Sequence, residues 1–200
     1  MQSWGTRSKF DDRDTDLEPS KSGVIGLVCA ALGVSRDDTE RTLELAALRL
    51  GVRVDHPGIL RTDYHTAQMR PGDPKTNTVQ TWRAYLSDAA FLVGLEGNNI
   101  DLLERCHAAL KNPVYPLSMG RKAFPPGLPL HLPGAILEEP LEQALHNYPN
   151  ITTLEPDSDK PRGKRFILES RTNTGSLRFD QPISNFAERK FGARYVVTGG

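Results

Sequence analysis

From Val24 to Leu32 the chain is almost wholly apolar, and Gly33 closes the run. Pro19-Ser20-Lys21-Ser22-Gly23 stands ahead of it, which predicts a loop, a serine cap, a buried helix and a glycine stop. Ser35 predicts a second cap, with Asp37, Asp38 and Glu40 in a first turn where carboxylates offset the helix dipole. Leu48, Leu50, Val52 and Val54 then alternate with Arg49, Gly51, Arg53 and Asp55, the pattern of a strand with one wet face. Arg61 to Gly94 reads as two extended arms around a polar tip, Arg70 to Thr78, where Pro71, Gly72, Asp73 and Pro74 punctuate a turn. The second arm runs into Ala89 to Val93, apolar enough for a buried strand.

A helix from Asn99 to about Leu110 places Ile100, Leu103, Cys106 and Leu110 on one face, with His107 packed beside it. Asn112-Pro113 ends that helix, and Val114 to Leu117 predicts a short strand. Pro125, Pro126, Pro129 and Pro133 impose an irregular connection, which places a domain boundary between residues 1–126 and 127–200. Beyond it the pattern predicts an acidic helix over Leu137 to Tyr148 and strands over 164–170, 176–179 and 192–198. The fold class is α+β, with a small β-rich C-terminal domain.

Charge changes the picture by its distribution. Lys+Arg and Asp+Glu both number 25, so no net charge points to a polyanion. Residues 138–159 carry six acids and no Lys or Arg, whereas residues 160–200 carry nine bases against three acids. That tail is compatible with a phosphate-facing surface, and equally with solvated strands. Cys29 and Cys106 lie in apolar helical stretches without metal-ligand spacing, which predicts reduced, buried thiols in a cytoplasmic protein. No apolar run is long enough to span a membrane, so no membrane partner is expected.

Candidate chemistry centres on the hairpin. Tyr64 and His65 on one arm and Trp82, Arg83 and Tyr85 on the other suit a grip on single-stranded nucleic acid, through ring stacking and phosphate contacts. A surface hairpin whose aromatics cover its own base shows the same pattern. Backbone N–H groups at the first helix, beside Lys21, suit a phosphate, although a plain cap with an incidental lysine accounts for them too. The spaced glycines of a nucleotide-binding P-loop are missing. Asp11, Asp12, Asp14 and Asp16 lack a partnering His or Asp motif and read as a solvated loop, so no metal or other cofactor is expected.

Several ordered motifs resemble one known family: Gln2-Ser3-Trp4-Gly5, Pro19 to Gly23, Asp63-Tyr64-His65-Thr66, Gln80-Thr81-Trp82-Arg83-x-Tyr85, and Leu117-Ser118-Met119-Gly120-Arg121-Lys122. Together they resemble the CasD family, the RAMP-superfamily subunits that cap the guide-RNA 5′ handle in type I-E CRISPR Cascade complexes. The resemblance covers Met1 to about Pro126 and is looser beyond. It implies a ferredoxin-like, RRM-type domain with a long hairpin thumb over residues 61–82. The family opens on a hydrophobic strand ahead of Gly-Pro-Met/Leu-Gln-x-Trp-Gly, so this chain is expected to lack that first strand.

The implied partners are the CRISPR guide RNA and the Cascade backbone and large subunits, with target DNA met only indirectly. The implied RNA-binding residues are Trp4, Arg7, Lys9, Ser20, Lys21, Ser22, Tyr64, His65, Thr66, Gln80, Trp82, Arg83, Tyr85, Gly120, Arg121 and Lys122. Trp82, Tyr64 and Tyr85 would stack, the cations would hold phosphates, and Gly120 would admit a close backbone approach. A related branch cleaves repeat RNA without a metal, and Tyr64, His65, Lys21 and Lys122 can be written into that chemistry. Adjacent strand residues point to opposite faces, however, so Tyr64 and His65 would not readily serve one phosphate. The reading is therefore non-catalytic.

Overall fold

The computed structural model describes residues 1–5, 12–68, 78–152 and 164–199. Ser20 caps the first helix, α1 (Lys21–Leu32), accepting from the Gly23 N–H at 3.3 Å, and Gly33 ends it at φ 70°. The second helix, α2 (Thr39–Ala46), starts later than expected because Asp38, not Ser35, supplies the cap to the Arg41 N–H. Helix α3 (Ile100–Lys111) begins at the Asn99 cap, and the acidic helix is the short α4 (Leu141–Asn147). The strands are β1 (Asp12–Arg13), β2 (Arg49–His56), β3 (Ile59–Gln68), β4 (Thr78–Ser87), β5 (Ala90–Glu96), β6 (Arg165–Glu169), β7 (Ser176–Pro182) and β8 (Phe191–Gly199). Val114 to Leu117 is not a strand; the Val114 and Tyr115 N–H groups instead bond to the Ala31 and Ala30 carbonyls at the end of α1.

Two sheets result. One is five-stranded and antiparallel, in the order β5-β2-β6-β8-β7, and the other is three-stranded, β1-β4-β3. The C-terminal strands thus extend the sheet begun by β2 and β5, and the proline-rich connection at residues 125–133 does not separate two sheets. Helices α1, α2 and α3 share a core of Ile25, Val28, Cys29, Leu45, Leu102 and Cys106. Val24 of α1 meets Leu50, Val52, Val54, Ile167 and Val196 of the sheet. The helix–strand–strand–helix run α1-β2-β5-α3 is that of a ferredoxin-like unit.

The expected wet face of β2 is covered. Helix α4 lays Leu141 and Leu145 over Gly51 and Gly94, paired residues at which a Cβ would lie 2.6 and 2.5 Å from those leucines. Beside them the fully buried Arg53 guanidinium pairs with Asp55 and donates to the Leu145, Tyr148 and Pro149 carbonyls at 2.5–2.7 Å. A buried cation with every donor satisfied fixes the end of α4 on the sheet. Alternation of apolar and polar residues here therefore marks two dry faces, one held by a satisfied ion pair.

The N-terminal segment staples three parts of the fold. Gln2 exchanges two backbone hydrogen bonds with Leu86 of β4, at 2.9 and 2.8 Å, and the Ser3 N–H donates to the Met119 carbonyl at 3.0 Å. Trp4 is buried against Gly23 of α1, and its indole N–H donates to Gln2 at 3.0 Å. Gly120, at φ 88°, lies so close to this segment that a Cβ would sit 1.6 Å from the Ser3 carbonyl oxygen. The glycine is required by this close backbone approach within the chain, whatever else the segment meets. Gly120→Ala is therefore expected to cost at least about 1–3 kcal/mol of strain and to lower the melting temperature at roughly 2–4 °C per kcal/mol. An unchanged melting curve would remove that contact.

Both cysteines are buried and free, and burial pushes each thiol up to about 11. Thiol labelling at pH 8 is expected to be slow in the native chain and complete after denaturation. Rapid native labelling would show that these helices do not pack as described.

Candidate nucleic-acid interface

Strands β3 and β4 pair in unbroken register from Ile59 opposite Ser87 to Gln68 opposite Thr78. Because side chains alternate along a strand and directly opposed residues share a face, the register sorts the hairpin into two surfaces. One carries Thr62, Tyr64 and Thr66 from β3 with Gln80, Trp82 and Ala84 from β4; the other carries Arg61, Asp63 and His65 with Thr81, Arg83 and Tyr85. The tip, residues 69–77, lies outside the described residues.

On the first surface Tyr64 faces Trp82, with ring centroids 5.7 Å apart and planes tilted by 59°. They remain 52 % and 46 % exposed, which leaves two large rings in solvent beside the polar Thr66 and Gln80. Exposed aromatics of this kind give bases of any identity a stacking platform.

The second surface is cationic and partly sheltered. Arg83 stands in register between Asp63 on β3 and Arg13 on β1. Exposed His65 hydrogen-bonds Asp63 through Nε2. Tyr85 lies 5.7 Å from Phe124, and the Arg121 guanidinium lies 5.7 Å from the same ring. Arg121 also donates to the Arg13 carbonyl at 3.2 Å. Partial burial, with Arg13 and Arg83 beside it, lowers the Arg121 pKa from its ordinary value. Lys122 is exposed.

The predicted residues thus divide. Tyr64, Thr66, Gln80 and Trp82 gather on one hairpin face, with His65, Arg83 and Tyr85 on the other and Arg121 reaching Tyr85's neighbour Phe124. Arg7 and Lys9 lie outside the described residues. Trp4 and Ser20 are buried, as core and as helix cap, and Ser22 is half-buried in the first turn of α1.

Lys21 is 1 % exposed, its ammonium bonding both Glu169 oxygens at 2.9 and 2.8 Å. Its backbone N–H donates to Asp180 at 2.7 Å, so a carboxylate of the protein itself occupies the start of α1. Asp180 in turn takes both ends of the Arg194 fork, at 2.6 and 2.9 Å. The expected phosphate position beside Lys21 is therefore filled from within. The basic tail is largely spent in the same way, through Arg165 and Arg178 with Glu18, Arg171 with Glu96, and Lys190 with Glu188. Arg13 was missed, since only the pairing of β1 with β4 brings it to Arg83.

A sequence model of the family described as CRISPR-associated protein (Cas_Cas5) matches residues 1–197. The chain belongs to that Cas5 family. It is 31 % identical to the CRISPR system Cascade subunit CasD of Escherichia coli (strain K12), across 100 % of this chain and 92 % of that protein. A solved structure described as a Cas protein matches with 46 % identity and a TM-score of 0.80, covering 99 % of this chain and 88 % of that one. A chain of a CRISPR RNA-guided surveillance complex matches with 31 % identity and a TM-score of 0.79, over 99 % and 85 %. Among the described residues no group of three or more His, Cys, Asp or Glu is placed to hold a metal ion. Nor is any helix long and apolar enough to cross a membrane.

The two lysines should separate stability from surface charge. Lys21→Met removes the buried ammonium from Glu169, which keeps the Leu50 N–H and Arg194, and is expected to cost about 3 kcal/mol, the low end for a broken buried pair. Lys122→Ala is expected to change stability by no more than about 0.5 kcal/mol. Chemical denaturation of both variants checks this, and equal midpoints would contradict the buried pair.

Proposed function

We propose that this protein is a non-catalytic RNA-binding subunit of a Cascade-type CRISPR surveillance complex. It holds the single-stranded 5′ handle of the guide RNA and bridges the complex's backbone and large subunits. The guide supplies sequence specificity by base pairing, target DNA being met indirectly, while the protein supplies shape and backbone grip. The observation that carries this reading is the exposed Tyr64–Trp82 pair, rooted in a hairpin with Arg83 and Arg121 on its opposite side. Family membership and the likeness to a chain of an RNA-guided complex give the partner its class.

A repeat-cleaving ribonuclease fits less well. Of the four residues available for that chemistry, Lys21 is buried in an ion pair, and Tyr64 and His65 point to opposite faces. His65 and Lys122 remain exposed. End-labelled repeat RNA incubated with the folded chain in EDTA is therefore expected to stay intact on a denaturing gel. A discrete cut, lost in His65→Ala, would make this chain a processing enzyme.

Binding should be visible in tryptophan emission, because Trp4 is buried and Trp82 is half exposed. Single-stranded handle RNA is expected to quench Trp82 and leave Trp4 unchanged, so Trp82→Phe abolishes most of the signal. Trp82→Ala should weaken binding by about 1–3 kcal/mol, the worth of one stacked base. Unchanged affinity in a variant with native melting would contradict the stacking role.

A further inference from the structure

The outer face of the five-stranded sheet is only half covered. Helix α4 lies over β5 and β2 through Leu141 and Leu145, and the His146 ring stacks on Phe166 of β6, with centroids 6.2 Å apart and planes 16° from parallel. Register carries the same face onto the last two strands, where Leu168 pairs with Val197 and Tyr195 with Leu177. Phe179, between the inward Arg178 and Asp180, joins them. The charged residues of these strands turn to the inner face, where Arg178 meets Glu18 and Arg194 meets Asp180. Leu177, Phe179, Tyr195 and Val197 therefore stand together in solvent, each between 37 % and 62 % exposed, with no charge among them. A contiguous apolar patch of this kind marks an interaction surface, as scattered exposed residues do not.

Width and charge define what fits there. Neighbouring strands lie about 4.8 Å apart, and a helix with its side chains is about 10–12 Å across, so one helix covers roughly two strands. Helix α4 takes β5 and β2, and the uncovered β8 and β7 have the width of one more. Between α4 and the end of β8 runs a groove of about 530 Å³, lined by Glu142, His146, Lys164, Phe166, Leu168 and Gly199. Lys164 in this groove and Arg189 in the connection to β8 are exposed cations with no ion pair among the described residues. Glu142 in the groove and Glu188 beside Arg189 are already held, by Arg49 and Lys190. An uncharged centre between unpaired cations complements an apolar stripe flanked by acids, whereas a second copy of this chain would bring cation against cation.

We propose that the β7–β8 half of this face docks an amphipathic helix of a partner protein. The helix lies beside α4, with its apolar stripe on Leu177, Phe179, Tyr195 and Val197 and its acidic flanks toward Lys164 and Arg189. The surface belongs to the five-stranded sheet and not to the hairpin, so it goes beyond the RNA-binding reading and stands or falls without it.

Two fluorescein-labelled helical peptides with the same leucine stripe, one flanked by glutamates and one by lysines, are titrated with the full chain and read by anisotropy. The glutamate-flanked peptide is expected to bind more tightly by at least about threefold at low salt. The double variant Phe179→Ser/Tyr195→Ser should weaken it by about tenfold or more, and Lys164→Glu/Arg189→Glu should turn the preference toward the lysine-flanked peptide. Handle-RNA affinity is expected to be unchanged in both variants, each taken after a melting curve. Should a variant fail to fold, amide NMR shifts of the wild-type chain with the glutamate-flanked peptide replace it, and they must centre on β7 and β8. No binding, equal binding of the two peptides, wild-type affinity in both variants, or shifts centred elsewhere overturns the docking surface. Two other occupants would overturn it as well. Binding to phosphatidylglycerol vesicles that is lost in Phe179→Ser/Tyr195→Ser assigns the patch to a membrane, and self-association in sedimentation lost in the same variant assigns it to a second copy.

Discussion

What the protein presents to a partner depends on a single register, Tyr64 opposite Trp82. The period of a strand is two, so slipping one arm of the hairpin by one residue would move its whole set of side chains to the other face. Tyr64 would then face Thr81 or Arg83 in sequence, and the aromatic and cationic surfaces would mix. The register is held at its base, where Leu86 is buried and bonds Gln2 in both directions. It is held again across the tip of β1, where Arg13 pairs with Arg83. The exposed aromatic face thus depends on a staple formed by Gln2 and its neighbours.

The body behind the hairpin is stiffened by ions as much as by apolar packing. Lys21, Glu169, Asp180 and Arg194 join the start of α1 to β6, β7 and β8, and Arg53 with Asp55 ties α4 to β2. Buried pairs of this kind add little net stability over apolar packing, but breaking one by removing a partner is costly. They fix where each element docks. The result is that most charge described in the C-terminal third serves the fold.

Local pattern made some of this legible in the sequence. The hairpin arms, the α1 cap and stop, and the three C-terminal strands follow from period, turn residues and capping chemistry, and each stands close to its predicted place. Long-range pairing was not legible. Lys21 looks like a surface cation until Glu169, far along the chain, closes on it. Trp4 and Gly120 looked like parts of an RNA site because their motifs are distinctive, yet one fills the core and the other admits the Ser3 backbone. Charge counted along the tail suggested a phosphate surface, whereas cross-strand and helix-start carboxylates absorb it. The pairing of Tyr64 with Trp82 was legible because both rings belong to one hairpin, where register follows from sequence.

Photo-crosslinking tests the central claim most directly. The handle RNA, carrying 4-thiouridine at successive positions, is bound to the intact chain, irradiated and mapped by mass spectrometry of the peptides. The account predicts crosslinks on the β3 and β4 peptides at Tyr64 and Trp82. Crosslinks confined to the β6–β8 face, with none on the hairpin, would contradict it.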